Sequence, residues 1–160
     1  MEKHSSLTDK CFPSGSADSY AALAGKYKEP HHTGDIRIYL TTSTWAAGID
    51  EDTVNASIQN SLNFGLYHQG LQIGFARLIT DYATFAYLCD VYVLDAYQGN
   101  GLARWLMACI HAHPVFARLR RITLFTSTAP WLYEKFGYQP VNQPNHAWTI
   151  TRPDIYKNKA

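Results

Sequence analysis

The residues from 88 to 103 carry the clearest chemistry in this chain. They begin apolar and β-branched, as a strand does. Gly99 and Gly101 follow, and glycine allows positive φ and close approach to the main chain. A helix is then expected from Leu102. Its unpaired N–H groups and the positive end of its dipole face back into the loop, which makes an anion site. The natural ligand is a phosphate or a pyrophosphate.

Three kinds of phosphate loop compete for this stretch. A Walker A loop needs Lys and then Ser or Thr directly after its last glycine. Leu102 and Ala103 stand there instead. A dinucleotide fingerprint needs a third glycine and a carboxylate roughly 20 residues further on. Arg104 holds the glycine position, and the next strand, residues 122–126, ends without a carboxylate. The third kind is the Gln/Arg-x-x-Gly-x-Gly/Ala loop of the GCN5-related N-acetyltransferases, the GNAT family. Gln98-Gly99-Asn100-Gly101-Leu102-Ala103 resembles it. A second block, Trp131-Leu132-Tyr133-Glu134-Lys135-Phe136-Gly137-Tyr138, is similar to a segment downstream of the loop in those enzymes. The two blocks come in the family's order, separated by a helix and a strand. The likeness runs from about residue 35 to about residue 139. Within it, residues 45–49 and 74–87 look like a small bacterial branch. The first thirty or so residues do not share it.

The resemblance implies an acetyl-CoA-dependent enzyme, which must hold a pyrophosphate, polarise a thioester and move protons. Backbone donors of the loop Gly99-Asn100-Gly101-Leu102-Ala103 are then expected at the pyrophosphate. Gln98 can add a side-chain amide where many relatives carry Arg. An uncharged donor should hold phosphate less strongly, since charge-assisted bonds are about twice as strong. In the family a splayed central strand offers a main-chain N–H to the thioester oxygen, where negative charge develops. The matching segment is Val91-Tyr92-Val93, with Val91 the expected donor. Thr126 stands where many relatives place Asn against the pantetheine arm.

Asp90 and Tyr133 are the candidate proton carriers. Asp90 sits in an apolar strand, where aspartate is disfavoured. A buried carboxylate can accept a proton from an amine, directly or through water. It can equally anchor a substrate, or serve the structure by bonding backbone N–H groups or an arginine such as Arg77. Tyr133 matches the position from which relatives protonate the departing thiolate, and a phenol of pKa near 10 can donate at neutral pH. The alternative is a helix tyrosine packed on the core. Trp45, Phe85 and Tyr87 could line an acceptor pocket, and core packing explains them nearly as well. His111 and His113 point to different sides of a helix, so no metal site is expected. His31 and His32 fall in a loop.

These residues need elements to hold them. Residues 35–44 fit strand or helix by pattern, and the resemblance favours helix. Asp50 reads as an N-cap, with Glu51 and Asp52 in the first turn. Val54, Ile58 and Leu62 then make one apolar stripe. Residues 64–67 and 71–80 read as strands around a turn at His68-Gln69-Gly70. A second turn, Asp81-Tyr82-Ala83, leads to a long apolar strand over 84–94, expected to be central and covered on both faces. Residues 102–112 form a helix that Pro114 stops. Residues 121–126 read as a buried strand. Ser127 or Thr128 can cap a short helix with Pro130 in its first turn and Gly137 at its left-handed exit. Residues 147–150 are expected to close the sheet.

Composition narrows the setting. The chain has 160 residues, 46% of them apolar, and a formal charge of +1. That suits one globular domain and gives no reason to expect nucleic acid or an anionic membrane. No apolar run approaches the ~20 residues that span a bilayer, and residues 1–5 lead into no signal-like apolar stretch. Three cysteines, Cys11, Cys89 and Cys109, lack metal-type spacing, and a reduced, cytoplasmic setting is expected. Residues 1–33 read as a poorly defined segment, with 19–27 its one ordered element. Residues 34–160 read as a single acetyl-CoA-binding domain of the GNAT fold, α+β, with a mixed, mostly antiparallel sheet flanked by helices. The implied reaction is direct acetyl transfer to a primary amine, the acceptor a small molecule, with homodimerisation open. A non-catalytic acyl-CoA sensor or interaction domain is the alternative.

Overall fold

The computed structural model describes residues 9–11, 20–25 and 33–157. The side chain of Cys11, and His31 and His32, lie outside the described residues. One sheet runs in chain order: β1 (Asp9–Cys11), β2 (Tyr20–Gly25), β3 (Leu62–His68), β4 (Leu71–Thr80), β5 (Phe85–Val93) and β6 (Arg121–Thr123). Neighbours from β1 to β5 are antiparallel, and β6 is parallel to β5. Helices α1 (Thr33–Thr42) and α2 (Glu51–Gln59) cover one face. Helices α3 (Leu102–Ala112) and α4 (Pro130–Glu134) cover the other. The sheet is mixed and mostly antiparallel, as the sequence suggested.

Local chemistry explains most boundaries. Asp50 caps α2, its carboxylate accepting from the Thr53 N–H at 2.8 Å. The helix stops before Leu62, which belongs to β3 and not to the helical stripe. Asn63 Nδ2 donates to the Ile58 and Ser61 carbonyls at 2.9 and 3.1 Å, satisfying oxygens a longer helix would have used. Gln69 and Gly70, at φ 48° and 80°, make the two-residue turn between β3 and β4. The Asp81 carboxylate accepts from the N–H groups of Ala83, Thr84 and Phe85 and organises the next turn. α3 buries Leu102, Leu106, Met107, Cys109 and Ile110, and it ends before Pro114.

Several expectations are corrected. β1 is a strand the sequence pattern did not show, and β2 lies inside the region expected to be ordered. β6 is three residues long and half-exposed at the sheet edge, not a buried strand to Thr126. Ala129 is the N-cap of α4 with no side-chain cap of its own, and Thr126 Oγ1 accepts from its N–H at 3.1 Å, so neither Ser127 nor Thr128 caps the helix. Residues 147–150 do not join the sheet; they have no regular secondary structure and are exposed. β5 is flanked by β4 along its length but by β6 only from Phe85 to Tyr87. Its second half therefore lacks a strand partner on that edge among the described residues, while both faces of β5 are covered, by α3 on one side and by α1 and α2 on the other.

That second half also carries a bulge. Arg77 pairs with Cys89 and Phe75 with Tyr92, so Ala76 alone faces both Asp90 and Val91. Asp90 takes φ 54° there, a left-handed conformation that Asp tolerates better than most residues. The extra residue resets the alternation of faces. Leu88 and Val91, three apart, both pack on the core beneath α3, while Tyr92 turns to the α1–α2 side.

Candidate active site

The parting of β5 from β6 opens a cavity of about 500 Å³. Tyr87, Cys89, Asp90 and Val91 of β5 form one wall. Residues 124–129, continuing from β6, form the other, with Tyr133 of α4 and Trp45 from the α1–α2 connection at its ends. Asp90, Val91, Tyr133, Thr126, Trp45 and Tyr87, far apart in sequence, thus meet around one space.

Asp90 is held firmly. Arg77 Nε donates to its Oδ2 at 2.8 Å and Trp45 Nε1 to its Oδ1 at 3.1 Å. The two side chains of the ion pair are 14% and 8% exposed. Burial works most strongly against the Arg77 charge, but Asp90, Cys89 and Tyr87 together outweigh it and push the guanidinium pKa up. Arg77 also donates to Ser61 Oγ at 3.1 Å. Cys89 lies beside the pair. Burial, then the Asp90 charge, pushes its thiol up to about 12, against the opposing pull of Arg77. The thiol is therefore protonated at neutral pH and is no nucleophile.

Tyr133 presents its phenol to the same cavity. Burial raises its pKa, so the hydroxyl keeps its proton well into alkaline solution. The Tyr138 ring meets its ring edge-on at 5.9 Å between centroids and is itself tied to His111 Nε2 by a 3.1 Å hydrogen bond. Thr126 lines the cavity while its oxygen serves Ala129. Its hydroxyl hydrogen stays available for a ligand.

The glycine loop follows β5 directly. Gly99 and Gly101 take φ 82° and 74°, and the space where a Cβ would sit is open at both. Gly101 is the N-cap of α3 and has no side chain to use the helix's first donors. Those donors, at Leu102 and Ala103 and the residue after, face an open loop, as an anion site requires. Gln98 departs from expectation. Its Nε2 donates to the Val93 carbonyl at 2.9 Å and to Asp95 Oδ1 at 3.1 Å, so both amide hydrogens brace the loop. Asn100 Nδ2 likewise donates inward, to the Tyr97 carbonyl at 3.2 Å. Positive charge comes from residues that sequence reasoning did not assign. Arg104 and Lys135 line a cavity of about 390 Å³ that includes Gly101. Arg104 sits in the first turn of α3, a signal that was legible in the sequence.

Three other expected site residues lie elsewhere. Phe85 is at the exposed start of β5, paired with Arg121, and does not line the cavity. Tyr92 stacks on Tyr39, centroids 3.7 Å apart, on the α1–α2 side. Val93 is buried beneath α3. Conversely, Phe125 lines the cavity and meets the Tyr87 ring edge-on at 5.8 Å. Its place one residue before Thr126 was the available signal. Among the described residues no cluster of His, Cys, Asp and Glu could hold a metal, and no helix is long and apolar enough to cross a membrane.

Comparison with known proteins bears directly on this arrangement. The acetyltransferase (GNAT) domain model matches residues 59–140, just over half of the chain. A protein of Gibberella zeae, named as an acetyltransferase, is 32% identical over 110 residues, covering 57% of this chain and 62% of its own length. The chain spans less than two thirds of the curated relatives it matches. A crystal structure from Xanthomonas campestris pv. campestris, described as an acetyltransferase of the GNAT family, superposes with a TM-score of 0.79 at 37% identity, covering 85% of this chain and 96% of that one. A Clostridium acetobutylicum acetyltransferase solved with acetyl-CoA shares the fold at a TM-score of 0.62 and 14% identity, covering 83% of this chain and 96% of its own. The parted strands, the glycine loop and these relatives lead to one assignment: this chain belongs to the GNAT family of acetyltransferases.

Proposed function

We propose that the protein transfers acetyl from acetyl-CoA to the primary amine of a small molecule, by direct attack. The observation that carries this reading is the convergence of Asp90, Val91 and Tyr133 on one cavity that adjoins the bulge. The residues present also fit the donor. The open loop at Gly99 and Gly101 and the uncapped start of α3 suit a pyrophosphate, and Arg104 and Lys135 supply charge that Gln98 lacks. The acetyl-CoA seen in the Clostridium relative agrees with this choice.

When bound, acetyl-CoA supplies an acetyl thioester open to attack. Val91, which the β4–β5 ladder skips, offers a main-chain N–H to the thioester oxygen as charge grows there. The attacking amine gives up a proton to Asp90, directly or through water. The new C–N bond forms as the C–S bond breaks, and the Tyr133 hydroxyl gives its proton to the departing sulfur. Solvent then reprotonates Tyr133 and relieves Asp90. The acceptor side is lined by Trp45, Tyr87 and Phe125, which suits an amine with an apolar body.

One observation favours the sensor reading instead. Both Asp90 oxygens are already engaged, by Arg77 and Trp45. A panel of amines assayed by CoA-thiol release decides between the two. Turnover of small amines is expected. Silence across the panel, with acetyl-CoA still binding by calorimetry, would establish the sensor.

A further inference from the structure

A second cavity, of about 430 Å³, lies between α1, the start of β4 and the end of β5. It shares no lining residue with the cavity at Asp90. Part of its lining is aromatic. Tyr92 of β5 stacks on Tyr39 of α1, and Tyr97 of the following turn joins them. Part is acidic. Asp35, in the first turn of α1, lines the space, and no cation pairs with it among the described residues. No lysine, arginine or histidine lines the cavity among those residues. Gln72 adds a buried acceptor. Its Nε2 donates to the Gly74 carbonyl at 3.3 Å, which fixes the amide's orientation and leaves Oε1 buried without a hydrogen-bond partner. Such an acceptor is costly, and a donor entering the cavity removes that cost.

These groups fit one kind of ligand. Asp35 repels an anion, and a hydrocarbon leaves Gln72 Oε1 unmet. An ammonium group gives an N–H to Gln72, a charge to the carboxylate and a cation to the tyrosine rings. The rings stay neutral to receive it. Burial, then Tyr39 and Asp35, push the Tyr92 hydroxyl up, and burial, then Asp95, does the same for Tyr39. The mouth sets a second requirement. Ile38 and Leu71 line the cavity and are 61% and 65% exposed, which suits an apolar body behind the charge.

We propose that this cavity is a second, non-catalytic site that binds a small organic ammonium ion with an apolar body. None of Asp90, Val91 and Tyr133 lines it, so its ligand is held and not acetylated. The site nevertheless adjoins the other cavity. The Tyr39 ring lies 6.3 Å from that of Trp45, whose Nε1 donates to Asp90.

Protonated N,N-dimethylbenzylamine is the probe. Its nitrogen carries one N–H, and a tertiary amine cannot yield a stable amide, so binding is not confused with turnover. Methyl NMR on the full chain reads the site. The Ile38, Ile73 and Leu94 methyls should shift saturably, with a Kd of about 1 mM or tighter. Benzyl alcohol, similar in size but uncharged, should bind about tenfold more weakly or worse, having lost the charge–carboxylate and cation–π terms. Asp35→Asn at an exposed position and Gln72→Met, which keeps the stem, should each weaken the probe about threefold or more. Unmoved methyls at about 10 mM probe would overturn the proposal. So would equal binding of benzyl alcohol, which would leave only an apolar groove. Shifts confined to Leu88, Val91 and Leu124 would put the probe in the other cavity and overturn it. Affinity unchanged in both variants would do the same.

Discussion

Tyr133 and Asp90 line the same cavity, but their surroundings assign them different burdens. Tyr133 is buried enough to keep its proton, and a transition-state donor needs that. Tyr133→Phe should lower kcat about tenfold or more while leaving acetyl-CoA affinity nearly unchanged, because the lost interaction strengthens only as sulfur departs. Calorimetry beside steady-state kinetics separates the two quantities. Asp90 is both a candidate base and half of a buried ion pair. Asp90→Asn should lower turnover by roughly 10²–10⁴-fold. It should also destabilise the fold by about 3 kcal/mol, the low end for breaking a buried pair, because it strands Arg77. The double substitution Asp90→Asn with Arg77→Met resolves these roles. Denaturant melts should show stability recovered, and assays should show turnover still lost. Recovered turnover would remove Asp90 from the chemistry.

At the scale of elements, the junction of β5, the glycine loop and α3 positions everything else. Gly101 stands at φ 74° as the N-cap of α3. Gly101→Val should abolish acetyl-CoA binding measured by calorimetry, since a β-branched residue resists that φ and its methyls would fill the space above the first helical donors. Gly74 shows a different constraint. A Cβ there would lie 2.8 Å from the Tyr92 carbonyl oxygen, backbone that cannot swing aside. Gly74→Ala should therefore destabilise the protein by about 1–3 kcal/mol in urea melts, the usual cost of overpacking. Since it presses on β5 next to the bulge, turnover should fall as well.

Across the whole molecule, His111 ties α3 to the elements that follow it. Its ring lies against Phe116 at 4.1 Å and Phe136 at 5.1 Å, and its Nε2 meets the Tyr138 hydroxyl. Burial lowers its pKa, so the folded protein holds the ring neutral. The unfolded chain binds a proton near the ordinary pKa of about 6.5 and the folded chain only below that. Stability is thus complete above pH 6.5 and declines as pH falls from there to the lowered folded value. Urea midpoints measured from pH 7.5 to 5 should show this decline, and His111→Gln should flatten it.

The sequence by itself determined the elements whose cause is local. Asp50 caps a helix through its own side chain, Gln69 and Gly70 turn a hairpin, and Gly101 opens α3, because each acts within a few residues of itself. The two motif blocks identified the family for the same reason: their spacing is carried along the chain. Only the tertiary structure decided where the site residues point. The bulge that puts Asp90 against Trp45 and Arg77 depends on a mismatch between two strands, and no pattern within β5 alone reveals it. Tyr92 and Phe85 drop out, and Phe125 enters, because faces and edges are set by what packs across them. Gln98 turned inward onto Val93 and Asp95, five and three residues back, a local contact that the motif's spacing does not specify. Residues 147–150 have the alternation of a strand, but alternation specifies a face and not a partner.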